Sequence, residues 1–479
     1  MSRKLLLLSF IEGGTVMAAE LCGARLLAPV FGSSLYVWAS VMGITLLALA
    51  AGYFGGGYLS LQQSKQSKRL FAVLNLAALF ILAMPLIAYY IVPRISYLSF
   101  LTGVVMSAAG LMFIPVFFLG ASSPLFIAIQ LGENGNPGRV SGTVYAVSTA
   151  GGILSTFLCG FWLIPQLGLY YCLGLFGLML FIANIFVFKV FKPIHFFVPA
   201  GLIYLMFGTL RVTSETIYYS DGMLGRIEVK QGRYGDADTF RYLTLNGTIQ
   251  SEVFIKGTVR NKDYFYLLDT LIAPESGRGK ALVLGLGGGL CSNMLVRKHF
   301  NVDAVDIDAR MTLCAHKFFG LDSSVNCVTS DGRYYLNHLD KKYDLVLFDV
   351  FRAEEQPSHL ITEQSLSSLK QHLLDSARIF INWHGFMSSE NGFGTSILYN
   401  TLRRAGFYIK MCALPGPEES RNLVFIASLS PLGEYPFELN ETPGLTTLVN
   451  TDERPLLEKY NAGANLKWRE NYLRYYQQR

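Results

Sequence analysis

Long apolar runs dominate the first two hundred residues, and their lengths approach the roughly 20 residues needed to cross a bilayer. The pattern predicts spans at 4–30, 36–60, 70–92, 96–120, 139–164 and 168–188, with a shorter run at 194–210. The first run is too long for a signal peptide and continues without a clear cleavage site. After Arg211 the texture changes: charges become frequent and apolar runs shorten. Residues 216–255 alternate with period two and are broken by Gly and Asn-Gly, which predicts β-hairpins. From Lys280 strand-like runs at 281–286, 302–307, 325–329, 344–350 and 377–382 are separated mostly by helical patterns. Strands alternating with helices predict a mostly parallel, doubly wound sheet. The expected fold is therefore a multi-span α-helical membrane bundle, then a soluble α/β Rossmann-like domain with a small β subdomain at its start. The boundaries are expected at 1–210, 211–275 and 276–479.

Composition sharpens this picture. The chain has 479 residues, 51% hydrophobic and 15% charged, with a net charge of +6. Residues 1–192 carry ten Lys/Arg against three Asp/Glu, whereas the remainder carries thirty against thirty-one. The basic excess thus lies in loops between apolar runs, which speaks for membrane orientation and against a nucleic-acid face. Arg3 and Lys4, then Lys65, Lys68 and Arg69, then Lys189 and Lys192 mark one side, the cytoplasmic one. The run 194–210 is short and carries Pro199 and Gly201, with Pro193 before it. It is expected to lie along the interface or to enter and return, which leaves the soluble half in the cytoplasm. Seven cysteines with no CxxC pair fit a reducing compartment, and no metal-ligand rhythm is present. The bilayer is the expected partner, with self-association also open.

Within the first span lie Glu12, Glu20 and Arg25. Glu12 and Glu20 fall about 80° apart around a helix, on one broad face. Intramembrane charges are costly and face protein or water. Either a cationic or polar substrate site or a structural Glu–Arg network accounts for them. Gly52, Gly55, Gly56 and Gly57, and Gly151 with Gly152, predict close helix packing. Pro124 inside the apolar run 120–131 predicts a broken or re-entrant helix.

The chemistry concentrates in the soluble half. The run ALVLGLGGGLCSN places Gly285, Gly287 and Gly289 after the first sheet strand. A glycine turn there lets a ligand approach the sheet's carboxyl edge. The dinucleotide fingerprint is broken, because its third glycine would fall on Leu290. Asp306 ends the second strand, where an acid can hold ribose hydroxyls. Asp331 follows the third and Asp349 ends the fourth. This ordered set points to a nucleoside-sulfonium site.

Those residues carry a resemblance. LNGTIQS (245–251), the glycine loop, DID (306–308), SDGRYYL (330–336) and KYDLVLFDVF (342–351) resemble the spermidine synthases, over roughly 216–400. The whole chain is similar to a membrane-fused bacterial branch of that family, which implies a place in the bacterial inner membrane. The resemblance implies a fold like that of S-adenosylmethionine methyltransferases, and decarboxylated S-adenosylmethionine or S-adenosylmethionine as donor. By it Asp306 binds ribose, Asp331 lies near adenine, Gln250 lines the donor site and Asp349 orients and deprotonates the attacking amine. The pattern also departs from the family. Gly288 stands where the family has the acid that holds the donor's ammonium, and Arg352 replaces its second aspartate. Tyr264, Phe265 and Tyr266 stand in place of its Tyr-His-Glu, and Asn246 in place of Asp. The adenosyl half is kept while the amine-reading half is rewritten. An anionic or membrane-derived acceptor would suit Arg352 better than a polycation.

Three functions remain open: an adenosyl-donor transferase acting on an amine or lipid-like acceptor, a non-catalytic adenosyl-binding protein, and a transporter with an adenosyl-sensing domain. His384, in INWHGF, is either a base or a packed histidine, and the aromatic, basic tail 468–479 is a terminal helix or a lipid contact.

Overall fold

The computed structural model describes residues 2–31, 35–95, 100–131, 136–209, 215–222, 224–234, 238–256, 263–351 and 356–468. It divides into two compact units: Met1–Ser214 with Tyr219–Ile227, and Glu215–Tyr218 with Glu228–Arg479.

In the first unit six helices are long and apolar enough to cross a membrane: Arg3–Ala28, Tyr36–Ser60, Gln63–Tyr90, Leu101–Leu131, Pro137–Leu167 and Leu169–Phe188. Glycines set their closest approaches, as the clusters predict. A side chain at Gly151 would run into the Phe10 carbonyl, and one at Gly13 into that of Ser148. Gly52 and Gly56, one turn apart, meet Phe117 and Ala121 in the same way.

Pro124 does not break its helix, contrary to the sequence expectation. The helical course runs from Phe100 to Leu131, with one π turn at Ala109–Phe113. Proline costs this helix one N–H donor, but the segment is packed against protein, where such a loss is tolerated. The Ser122 hydroxyl donates to the Leu119 carbonyl at 2.7 Å, and a Cβ at Gly120 would lie 2.9 Å from the Leu49 carbonyl oxygen. The run 194–210 is likewise one helix, Ile194–Thr209, which continues through Pro199 and packs on the helix Gln66–Tyr90.

Glu12 is 2% exposed and accepts a bond from the Ser148 hydroxyl at 3.1 Å. Glu20, two turns on, is half-buried. The Ser148 hydroxyl is therefore a partner of Glu12 inside the bundle.

The second unit holds most of one sheet and all of another. The strands β1 (Thr216–Gly222), β2 (Gly225–Tyr234), β3 (Asp238–Leu245) and β4 (Thr248–Lys256) form a four-stranded sheet in sequence order. Asn246 and Gly247 both take positive φ, 51° and 79°, as a tight two-residue hairpin between β3 and β4 requires. The larger sheet comprises β5 (Gly279–Leu284), β6 (Phe300–Asp306), β7 (Asn326–Thr329), β8 (Tyr343–Phe348), β9 (Leu373–His384), β10 (Tyr408–Ala413) and β11 (Asn422–Ser428). Their spatial order is β10-β11-β9-β8-β5-β6-β7. The pairs among β5 to β9 are parallel, and β11 is antiparallel to both its neighbours. This is the mixed, doubly wound Rossmann-like sheet that the alternation predicts, with two further strands at its end. Apolar side chains such as Leu282, Val346, Ile379 and Phe425 fill its core. Strand order reverses between β5 and β8, the crevice where such sheets bind ligands.

Candidate functional site

The carboxyl ends of four strands meet at that reversal. Leu284 of β5 pairs with Val305 and Phe348, and Asp306 pairs with Thr329. The glycine loop leaves β5 at this edge, and Gly285, Gly287 and Gly289 take φ of 92°, 52° and 77°. Only glycine adopts these values without strain. At Gly285 the reason is also steric, because a Cβ there would run into the Asp349 carbonyl at the end of β8.

The loop's N–H groups are turned inward. Gly285 donates to the Val305 carbonyl at 2.8 Å, and Leu286 to Asp306 Oδ2 at 3.0 Å. Gly287 also donates to Asp306. Gly288 donates to Ser251 Oγ at 2.8 Å, and Gly289 to the Leu286 carbonyl at 2.8 Å. A phosphate cradle needs such groups aimed at the ligand. Here five successive donors are engaged by protein, which argues against a dinucleotide or nucleotide-phosphate site and agrees with the broken fingerprint.

Asp306 closes the loop as well as facing the crevice. Its Oδ1 accepts from the Asp308 N–H at 2.9 Å. Burial pushes its pKa up, and the N–H bonds of Asp308, Leu286 and Gly287 oppose this. Carboxylate oxygens have two acceptor positions each, so sugar hydroxyls can still bond to it. Asp331 lies two residues beyond β7. One oxygen caps the following helix by accepting from the Tyr334 N–H at 2.9 Å, and the other lies 3.7 Å from His359 Nε2.

Asp349 ends β8 beside the loop. Its Oδ1 accepts from Asn382 Nδ2 at 2.9 Å, and its Oδ2 from the Cys291 thiol at 3.3 Å. Asn422 Nδ2 in turn donates to Asn382 Oδ1 at 2.8 Å. Burial and the neighbouring Asp349 charge push Cys291 and Tyr264 well above their usual ranges, so both stay protonated and face a carboxylate. The structure thus brings together Gly285, Gly287, Gly289, Asp306, Asp349 and Tyr264, with Asp331 at the adjoining strand end. The Gln250 amide donates to the Thr248 carbonyl at 3.3 Å, and its neighbour Ser251 reaches Gly288 in the loop. Arg352, with Glu354 and Glu355, lies outside the described residues.

Ser251, Cys291 and Asn382 are site residues that sequence reasoning missed. Ser251 also explains Gly288: a Cβ there would lie 2.9 Å from Ser251 Cβ and 3.1 Å from the Phe319 ring. An acid at 288 would not fit without moving a packed strand and a phenyl ring. Among the described residues no group of three or more His, Cys, Asp or Glu side chains could hold a metal ion.

His384 is a packed histidine. It is 1% exposed, stacks on Phe351 and Trp468 at 5.5 and 4.8 Å, and its Nδ1 lies 3.0 Å from Asn465 Oδ1. Burial lowers its pKa from 6.5 to about 4, against the Asn465 bond, so the ring is neutral at pH 7. Between those values the unfolded chain binds the extra proton. Stability should therefore fall as pH drops through this window, by about 3 kcal/mol at most. Melting of the full chain in detergent at pH 7 and pH 4.5 should show a larger loss for the native protein than for His384→Gln. Equal losses would remove His384 as the cause.

No family model matches the sequence. A polyamine aminopropyltransferase of Vibrio vulnificus is 30% identical over 162 residues, 32% of this chain and 51% of that protein. An N-terminal histidine N-methyltransferase of Emericella nidulans is 28% identical over 136 residues, 27% of this chain and 24% of that protein. Among solved structures, a probable spermidine synthase from Corynebacterium glutamicum has 16% identity and a TM-score of 0.37, covering 47% of this chain and 82% of that one. The chain spans about half the length of the Vibrio protein, the 51% given above.

Proposed function

We propose that this chain, whose α/β half is spermidine-synthase-like in sequence, is a membrane-anchored transferase that takes an adenosyl sulfonium as donor. One observation carries the reading: at the sheet's reversal a glycine loop with its N–H groups turned inward lies between Asp306 and Asp349. Such an edge suits a cationic nucleoside held by carboxylates, and not a phosphate.

The chemistry follows from the donor. A nucleophile attacks the carbon next to sulfur, the carbon–sulfur bond breaks, and its electron pair leaves with a neutral thioether. The leaving group needs no acid, so alignment supplies most of the rate. An amine acceptor must also lose a proton, and Asp349 is the base placed to take or relay it. Asn382 and the Cys291 thiol hold its carboxylate in place beside the loop. Tyr264 adds a hydroxyl near that carboxylate. The donor is decarboxylated S-adenosylmethionine or S-adenosylmethionine, and the transferred group an aminopropyl or a methyl.

A second reading is favoured by Gly288. Ser251 fills the place where an ammonium-binding acid would project, so the site could hold an adenosyl ligand without turning it over. Mass spectrometry separates the readings. The full chain in detergent is incubated with each donor and with amine and lipid acceptors. Methylthioadenosine would report aminopropyl transfer, and S-adenosylhomocysteine methyl transfer. Donor binding without either thioether would leave the binding-only reading.

A further inference from the structure

The helical unit records which of its ends each loop occupies. Gly177 packs on Leu82 and the Ala78 carbonyl, and Asn184 Nδ2 donates to the Phe71 carbonyl at 2.9 Å. The helices Gln66–Tyr90 and Leu169–Phe188 are therefore antiparallel, with Phe188 beside Phe71 and Gly168 towards Tyr90. The helices Arg3–Phe31 and Pro137–Leu158 run parallel, since Ser9 meets Val144 and Gly14 meets Ser155. One end of the bundle thus collects Arg3, Lys4, Lys65, Lys68, Arg69, Arg139, Lys189 and Lys192. The other carries Phe31, Arg94 and Gly168. By the positive-inside rule the basic end is cytoplasmic.

The tip of the first β-hairpin, Tyr219–Ile227, belongs to this same unit and sits at the opposite end. Asp221 and Arg226 form a two-pronged ion pair, 2.8 Å on each arm. The guanidinium lies 4.8 Å over the Tyr170 ring, and a Cβ at Gly168 would come 2.7 Å from Asp221 Oδ2. Between Lys192 and this tip the chain must traverse the length of the helix Leu169–Phe188, about 30 Å at 1.5 Å per residue. The helix Ile194–Thr209 provides about 24 Å of that, and it packs on the helix Gln66–Tyr90.

We infer that Ile194–Thr209 is a seventh crossing and that the chain beyond it lies on the extracytoplasmic side. This reverses the placement expected from the shortness and prolines of 194–210. It rests on the bundle alone. Joined to the transferase reading above, it means that the adenosyl ligand and its acceptor are drawn from outside the cytoplasm or delivered across the bilayer.

Labelling tests it without reference to activity. With the seven native cysteines replaced by serine, Ser276→Cys and Ser64→Cys are treated with a membrane-impermeant maleimide in intact cells. Both positions are exposed, one in the α/β half and one in the basic loop. Ser276→Cys should react before lysis and Ser64→Cys only afterwards. The reverse pattern would overturn the inference. Should the cysteine-free chain fail to accumulate, trypsin added to spheroplasts of the native chain reads the same question at exposed Arg278. Cleavage from outside supports the inference, and cleavage only after permeabilisation overturns it.

Discussion

Replacing Asp349 by asparagine should lower turnover roughly a hundred- to ten-thousand-fold, the range expected for loss of a positioned general base. Donor affinity should change little. Asparagine has the same shape, its carbonyl can still accept from Asn382, and its amide can face the Cys291 sulfur. The split is what identifies a base: a purely structural role for Asp349 would weaken donor binding and stability along with rate. Measuring the rate of thioether release and donor affinity on the same preparation checks it. Undiminished turnover would remove Asp349 from the chemistry, whichever group is transferred.

The second large effect is expected at Gly285. Alanine there would hold a positive φ of 92°, which costs about 1–3 kcal/mol for a residue with a side chain. Its Cβ would also meet the Asp349 carbonyl, and overpacking of this kind costs about 1–3 kcal/mol more. The β5–β8 crevice would open or the loop would shift, so Gly285→Ala should lose donor binding and melt several degrees lower. Gly277→Ala is the control, since a Cβ there meets nothing within 4 Å. Equal behaviour of the two variants would mean that the glycine loop does not shape the site.

Both predictions depend on features of unequal visibility in the sequence. The strands β5 to β9 were legible because buried parallel strands read as short apolar runs between helical patterns. The Asn246-Gly247 turn was legible because few residue pairs take two positive φ values. The six long helices were legible for a similar reason, since lipid demands continuous apolar length. Proline predicts a break at Pro124 that the helix does not show. Its local cost is the same in any helix, but whether the helix breaks depends on neighbours that the sequence does not specify. The site divides in the same way. Asp306 and Asp349 were visible because each ends a strand at the sheet's carboxyl edge. Asn382 and Cys291 were not, since they reach Asp349 from 33 and 58 residues away along the chain. Ser251 was hidden by its neighbour: Gln250 drew attention by resemblance, while the hydroxyl beside it makes the contact. The absent acid at 288 looked like a simple deletion of charge, and only the packing of Ser251 and Phe319 shows the space to be filled.

The central claim is that the glycine-loop edge holds an adenosyl group through Asp306, and calorimetry tests it most directly. The full chain in detergent would be titrated with S-adenosylmethionine, its decarboxylated form and their thioether products, beside Asp306→Ala and Asp306→Asn. A charge-assisted hydrogen bond to ribose is worth about 1.5–3 kcal/mol. At least one of these ligands should therefore bind the native protein and bind Asp306→Ala about ten- to 150-fold more weakly, with Asp306→Asn between the two. Failure of every adenosyl ligand to bind the native protein, or equal affinity in all three proteins, would contradict the account.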